Sequence, residues 1–305
     1  MKTEKKMDMY QFAESIKERL EQQEQFEVGL KSVLKNNGVK RCGLTLRSAE
    51  NNLASTIYIE PFFETYKNGA DMDEIIGELL ETSGNIPGEE VDMSFFQNFS
   101  TVRNRLCMKL VNKERNAELL SKVPHREFLD MAVIYYVDFN NPRIGAGSIL
   151  IYNSHMEMWG VTEEDLWEVA SINTPIQKPG RIESMKNIMA ELFAGLENCD
   201  SECCNSRAEI PARMLVITNT DRVYGAAVIL YNKMLKQAAD RADSDLFILP
   251  SSLHEVLAIP VIEEYDVAEL KAMVVDVNRN VLQPEDVLSD NVYIYRREQD
   301  RLEVV

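Results

Sequence analysis

The stretch Phe26-Glu27-Val28-Gly29-Leu30, followed by Lys35-Asn36-Asn37-Gly38 and then by Val39 to Leu46, decides the fold of the first part of this chain. Apolar and polar residues alternate from Phe26, as they do on a strand with one covered face. Asn-Gly between two extended runs is the strongest short hairpin signal, because the central turn residues need positive φ. Outward from this hairpin, Phe12, Ile16 and Leu20 recur at spacing four, which predicts a helix from Met9 to about Gln23. Ser55 to Ile59 reads as a third strand and Pro61 opens a helix after it. The fold class is therefore α+β: an antiparallel meander with flanking helices over residues 1–90.

Beyond the turn-rich, charged break Ser83–Glu90, residues 91–305 read as a larger mixed α/β region of strand-to-helix units. A helix is expected over Ser94–Arg105, a strand near Met108–Val111, a helix over Asn112–Leu120 and a buried strand at Met131–Val137. Thr162-Glu163-Glu164-Asp165 caps a helix and places acids at its positive end, while Gly160 ends the one before. Trp159 and Trp167 should then meet in one core. Glu197–Pro211 reads as a long loop. Residues 146–153 echo residues 225–232 at an offset of 79, each reading as a strand that ends in Tyr-Asn and enters a helix, which raises an internal duplication.

The chain has 305 residues, 50 acids against 33 bases, and a formal charge of −17. That balance disfavours binding to a nucleic-acid backbone or to an anionic membrane surface. The N-terminus is charged from Lys2 onward, without the apolar run of a signal peptide, and no stretch reaches the length of a membrane span. Five cysteines, an odd number, suit a reducing compartment, and the expected location is cytoplasmic.

Complete chemical motifs are missing. Gly145-Ala146-Gly147 leads into a strand and has Leu150 where a dinucleotide fingerprint needs its third glycine. Ser32-x-x-Lys35 and Ser289-Asp290-Asn291 match two β-lactamase elements, but the Lys-Thr-Gly element is absent and Ser32 lies on a strand. Cys199, Cys203 and Cys204 are the densest thiol cluster and the candidate metal ligands, although a structural zinc site wants four donors. Ser252, His254 and Glu255 form the one candidate catalytic group: histidine suits proton transfer near neutrality, with serine or glutamate as its neighbour. The competing reading has the serine capping a turn and the histidine making an internal hydrogen bond. No cofactor is implied.

Charge falls in blocks, with ten acids and one base from Glu60 to Asp92, and seven bases and two acids from Arg103 to Arg126. The acidic block reads as a solvated helix face, as a steering surface for a basic partner, or as a mimic of nucleic acid.

Longer strings carry a family resemblance. They run from Asn112-Lys113-Glu114-Arg115-Asn116 through Val123-Pro124-His125-Arg126 to Phe128-Leu129-Asp130, and include Ile151-Tyr152-Asn153-Ser154-His155, Trp159-Gly160-Val161-Thr162-Glu163-Glu164 and Leu249-Pro250-Ser251-Ser252-x-His254-Glu255-Val256. Lys35-Asn36-Asn37-Gly38 and Gly43-Leu44-Thr45 belong to the same set. Together they resemble an uncharacterised bacterial family, domain of unknown function 5688. The resemblance covers most of the chain and implies one complete family member; it brings no activity or catalytic residues.

The expected function is non-enzymatic, by binding a macromolecule, with a protein as the partner. The alternatives are a hydrolase-like enzyme using Ser252, His254 and Glu255, and an acidic nucleic-acid mimic.

Overall fold

The computed structural model describes residues 7–22, 26–47, 55–83, 94–141, 145–188, 214–250, 252–262 and 265–305. They fall into two compact units, Met1–Gln97 with Asn140–Gly147, and Asn98–Phe139 with Ser148–Val305. Apart from Ser83, the breaks expected at Ser83–Glu90 and Glu197–Pro211 lie outside the described residues, as do Cys199, Cys203, Cys204 and Ser251.

In the first unit the meander forms as its pattern requires. Strands β1 (Glu27–Leu34), β2 (Lys40–Arg47) and β3 (Ser55–Tyr58) make an antiparallel sheet in that order. The hairpin turn holds Asn37 at φ 59° and Gly38 at φ 70°, the conformation that Asn-Gly supplies most cheaply. One sheet face carries Val28, Leu30, Leu44, Leu46 and Ile57, which stand opposite one another in the register. Helices α1 (Met9–Glu21), α2 (Glu60–Lys67) and α3 (Met72–Ser83) contribute Phe12, Ile16, Leu20, Phe62, Ile75 and Leu79 to the same core. Asp8 begins α1 by accepting the Gln11 amide, and the Gln11 side chain returns the bond.

The second unit contains a four-stranded and a six-stranded sheet. In the first, β6 (Met131–Asn141) pairs with β4 (Leu106–Asn112), β5 (His125–Phe128) and β7 (Gly145–Leu150). The other has β8 (Gly180–Ser184), β9 (Leu215–Asn219), β10 (Leu246–Leu249), β11 (Glu255–Pro260), β12 (Tyr293–Arg296) and β13 (Arg301–Val304), in the order β13-β12-β10-β11-β9-β8. Every residue of β10 is buried, which explains an apolar run without alternation. Short helices α4 (Phe99–Val102), α5 (Ala117–Leu120) and α6 (Asn153–Trp159) precede α7 (Glu163–Gln177), α8 (Met234–Ala242) and α9 (Val267–Asn280). Leu270 and Val274 of α9 pack on Phe247, Leu249, Ile259 and Ile294.

Local structure departs from the sequence reading at four places. The helix expected over Ser94–Arg105 is two 3-10 turns on either side of α4, because Asn98 is extended at φ −123° and ψ 132°. The helix expected over Asn112–Leu120 shrinks to α5: Asn112 ends β4, and its side chain accepts the Arg115 amide in place of a helical bond. Gly225–Leu230 is a 3-10 helix, so the echo between 146–153 and 225–232 pairs a strand with a helix. Its residues from Gly225 to Ile229 are all buried, and burial on every side explains the apolar string. Trp159 packs on Phe99 and His155, while Trp167 lies under the Arg126 guanidinium at 4.6 Å, so the two do not share a core.

Among the described residues, no helix is long and apolar enough to cross a membrane. The first unit depends on the fully buried Phe12 ring, which lies 5.3 Å from Phe63 and 5.0 Å from Tyr66 between centroids. Phe12→Ala should cost about 3 kcal/mol, read from urea unfolding by circular dichroism. A loss below about 1 kcal/mol would show that this ring does not organise the core.

Candidate functional site

The candidate catalytic residues lie in the second unit, where β9 runs into the loop Asn219–Gly225. Asn219 is buried and its side chain shapes that loop: Oδ1 accepts the amides of Asp221 and Val223, and Nδ2 donates to the Val223 carbonyl. Arg222 and Tyr224 take left-handed backbone angles, φ 53° and 54°, which non-glycine residues hold only where surrounding contacts impose them. Gly225 follows because nothing larger fits. A Cβ there would stand 2.2 Å from Thr218 Oγ1 and 2.3 Å from the His254 carbonyl oxygen.

This loop presents Tyr224 to His254. The two rings stack with centroids 6.0 Å apart, and the Lys109 ammonium lies 3.8 Å from the other ring's centre, that of Tyr224. The Tyr224 main-chain N–H donates to His254 Nδ1 at 3.3 Å, and Nε2 faces Asp286 Oδ1 at 3.5 Å.

Ser252 is brought near His254 by the backbone alone, its Oγ accepting the His254 main-chain N–H at 2.9 Å. Glu255 sits on β11 opposite Thr218 and lines a separate cavity of about 190 Å³ with Arg222, Val216 and Leu257. The three residues are neighbours in sequence, without a side-chain relay linking them among the described residues. Ser289-Asp290-Asn291 is a clasp: Ser289, Asn291 and Tyr293 all donate to the Asp130 carboxylate, and Arg115 pairs with Asp290. Among the described residues, no group of three or more His, Cys, Asp or Glu side chains could hold a metal ion.

The basic block from Arg103 to Arg126 is largely neutralised within its unit. Lys113 pairs with Glu127, Lys122 with Glu118, and Arg126 with Glu163 and Glu164. Nearby, Lys178 is held by Asp138 and Asp221 at 3.1 and 2.8 Å. Burial works against its ammonium, yet the hydrogen bonds it donates to the two carboxylates outweigh that and raise the pKa. The acidic block divides in the first unit. Glu60 turns to the sheet and Glu64 pairs with Lys67, while Glu74, Glu78 and Glu81 face outward along α3.

A second place, missed by the sequence reading, lies in the first unit. The sheet face that buries Leu44 and Leu46 continues past the helices to Cys42, Ser32 and Lys40, which are half-buried or exposed. The result is an open groove of about 620 Å³ between Met9, Tyr10 and Ala13 of α1, Leu30, Ser32 and Cys42 of the hairpin, and Glu60, Phe63 and Glu64 of α2. Its floor is mainly apolar, with Ser32 exposed on it. Lys31, Lys40 and Arg41 line it from the hairpin, and the carboxylates stand on the α2 wall. Burial, with Glu60 and Glu14 adding to it, pushes the Cys42 thiol up and disfavours its thiolate. One signal was legible: Ser32 and Lys40 are polar residues at the parity that should be apolar.

The fold and these two places define an α+β protein with an open, mainly apolar groove in one unit and a histidine held within main-chain and carboxylate contacts in the other. The chain belongs to the family described as "Family of unknown function (DUF5688)", which matches residues 9–297. No curated protein and no solved structure matches it.

Two measurements check this geometry. Gly225→Ala should destabilise the second unit by at least about 3 kcal/mol, since its neighbours include main-chain atoms that cannot yield; an unchanged melting temperature would contradict the close approach. Burial pushes the Cys107 thiol up to about 11, with Asp138 adding and Lys178 opposing. Iodoacetamide near pH 8 should therefore label Cys107 about a hundredfold more slowly in the native chain than in urea, mapped by peptide mass spectrometry. Equal rates would show an accessible thiolate.

Proposed function

We propose that this protein acts by binding a segment of a partner protein in the groove of its first unit, and that it performs no chemistry of its own. The observation that carries the reading is the groove itself. A volume of about 620 Å³ with a mainly apolar floor and its charged groups on the walls has the size and composition of a ligand site. The open shape suits a side chain and its flanking main chain better than a sealed metabolite. Against the hydrolase alternative stands the imidazole of His254, whose Nδ1 accepts a main-chain N–H and whose Nε2 faces Asp286 at 3.5 Å, while Ser252 meets it through the main chain. The pairing within the basic block removes the strongest sequence argument for recognition by charge alone, so shape and apolar contact lead. The proposed location is the cytoplasm, for which the odd number of cysteines is the support.

The test is capture from native lysate by full-length wild type and by Ser32→Trp. Ser32 is exposed on the groove floor, so an indole there fills the space without entering the core. A partner held by wild type should be recovered at least about tenfold less by Ser32→Trp, with melting temperature unchanged, which corresponds to about 1.4 kcal/mol of binding. Equal recovery by both chains would overturn the assignment of the groove, and so would a wild type that captures nothing.

A further inference from the structure

The sheet of the first unit is closed along one side of its hairpin and open along the other. Where β2 runs past the end of β3, the Cys42 carbonyl accepts the Ile59 main-chain N–H at 3.0 Å, and the Cys42 N–H donates to Glu60 Oε1 at 2.6 Å. Main-chain groups alternate in direction along a strand, so Cys42, Leu44 and Leu46 bond toward β3, and Arg41, Gly43 and Thr45 bond toward β1. Their partners in the register are Val33, Lys31 and Gly29. The remaining groups of β1, those of Val28, Leu30 and Ser32, point out of the sheet. β1 is the end of the strand order, and among the described residues no main-chain group bonds the outward N–H and C=O of Leu30 and Ser32. Such a row of unpaired donors and acceptors pairs readily with another strand.

The groove opens onto this edge. Leu30, Lys31 and Ser32 all line it. Consecutive strand residues point to opposite faces, so one space touches all three only where it reaches the edge of the strand. Parity then sets the chemistry of an added strand. Residues opposite Leu30 and Ser32 lay their side chains on the groove face, against Leu30, Met9 and the exposed ring of Tyr10, which calls for apolar groups. The residue between them stands beside Lys31, which is exposed and forms no ion pair among the described residues. A lysine on an edge opposes indiscriminate pairing and favours a strand that brings a carboxylate to it.

We propose that the partner segment binds as a fourth, antiparallel strand on the outer edge of β1. Its main chain bonds Leu30 and Ser32, its apolar side chains lie in the groove, and an acidic side chain stands beside Lys31. This inference rests on the reading of the first unit as a protein-binding module and adds how the segment is held and what pattern it carries.

The test titrates ¹⁵N-labelled full-length protein with a blocked hexapeptide of three Val-Glu repeats and with two N-methylated forms of it. In an antiparallel strand whose valines enter the groove, the valine N–H groups face β1 and the glutamate N–H groups face away. Relaxation-optimised amide spectra give both affinity and location. The parent peptide should shift the amides of Leu30, Lys31 and Ser32 in a saturable way. Methylating the glutamate nitrogens should change affinity by less than about threefold, and methylating the valine nitrogens should weaken it at least about tenfold. Ser32→Pro removes one outward N–H and no bond of the ladder to β2. It should weaken the parent peptide at least about fivefold with melting temperature unchanged, while Ser32→Ala should not. Equal binding of the two methylated peptides would overturn strand addition, and so would no binding by the parent. Dimerisation of the protein alone, lost in Ser32→Pro, would assign the edge to a second copy and overturn the partner strand. Because the peptide comparisons are made within the wild-type chain, they stand even if Ser32→Pro folds poorly. Loss of partner capture by Ser32→Trp, with capture by Ser32→Pro unchanged, would remove this inference and leave the protein-binding reading intact.

Discussion

The first unit depends on covering one apolar face of a three-stranded sheet. A hairpin of this size is marginal alone in water, so helices must lie on it. Eight residues of strand extend about 26 Å, whereas the thirteen residues of α1 extend about 20 Å. The helices therefore cover Val28, Leu44 and Leu46 and stop short of the turn. At the uncovered end the parity that is apolar elsewhere becomes Ser32 and Lys40, with Cys42 and Leu30 half-buried between. The same face that makes the core inside lines the open groove between the hairpin and the starts of α1 and α2.

The second unit is governed by close approach. Gly225 lets the loop after β9 press against the turn that carries His254, and Asn219 holds the loop from inside with three hydrogen bonds. Left-handed Arg222 and Tyr224 are the conformational cost, offset by Tyr224 stacking on His254 and by Lys109 over its ring. The same economy governs charge. Lys178 between Asp138 and Asp221, Arg126 between Glu163 and Glu164, and Arg297 between Asp240 and Asp243 are internal fastenings of one unit. A strongly acidic chain can still devote many of its cations to structure, so net charge alone is a poor guide to the partner.

Much of the fold was legible because its signals are local. Asn37-Gly38, the spacing of Phe12, Ile16 and Leu20, and the Thr162 cap each depend on residues a few positions apart. The failures share a cause. Gly225–Leu230 has the composition of a strand, yet its apolar residues answer to burial on all sides, which no short-range period encodes. Asn112 ended an expected helix through a side-chain bond to Arg115 that competes with helical hydrogen bonding. At Ser252, His254 and Glu255 only the adjacency in sequence was legible; Tyr224, whose main-chain N–H donates to His254 Nδ1, and Asp286, which faces Nε2, come from distant segments. Glu60 was visible only as one acid among ten, since its bond to the Cys42 main chain depends on where Cys42 lies in the sheet.

Hydrogen–deuterium exchange of the full-length chain, with and without its captured partner, tests the central claim most directly. Protection is predicted on the segments around 9–13, 30–32, 40–42 and 60–64, the walls and floor of the groove, with little change elsewhere. Protection confined to 219–225 and 252–255, with the groove segments exchanging as before, would contradict it and return the function to the histidine.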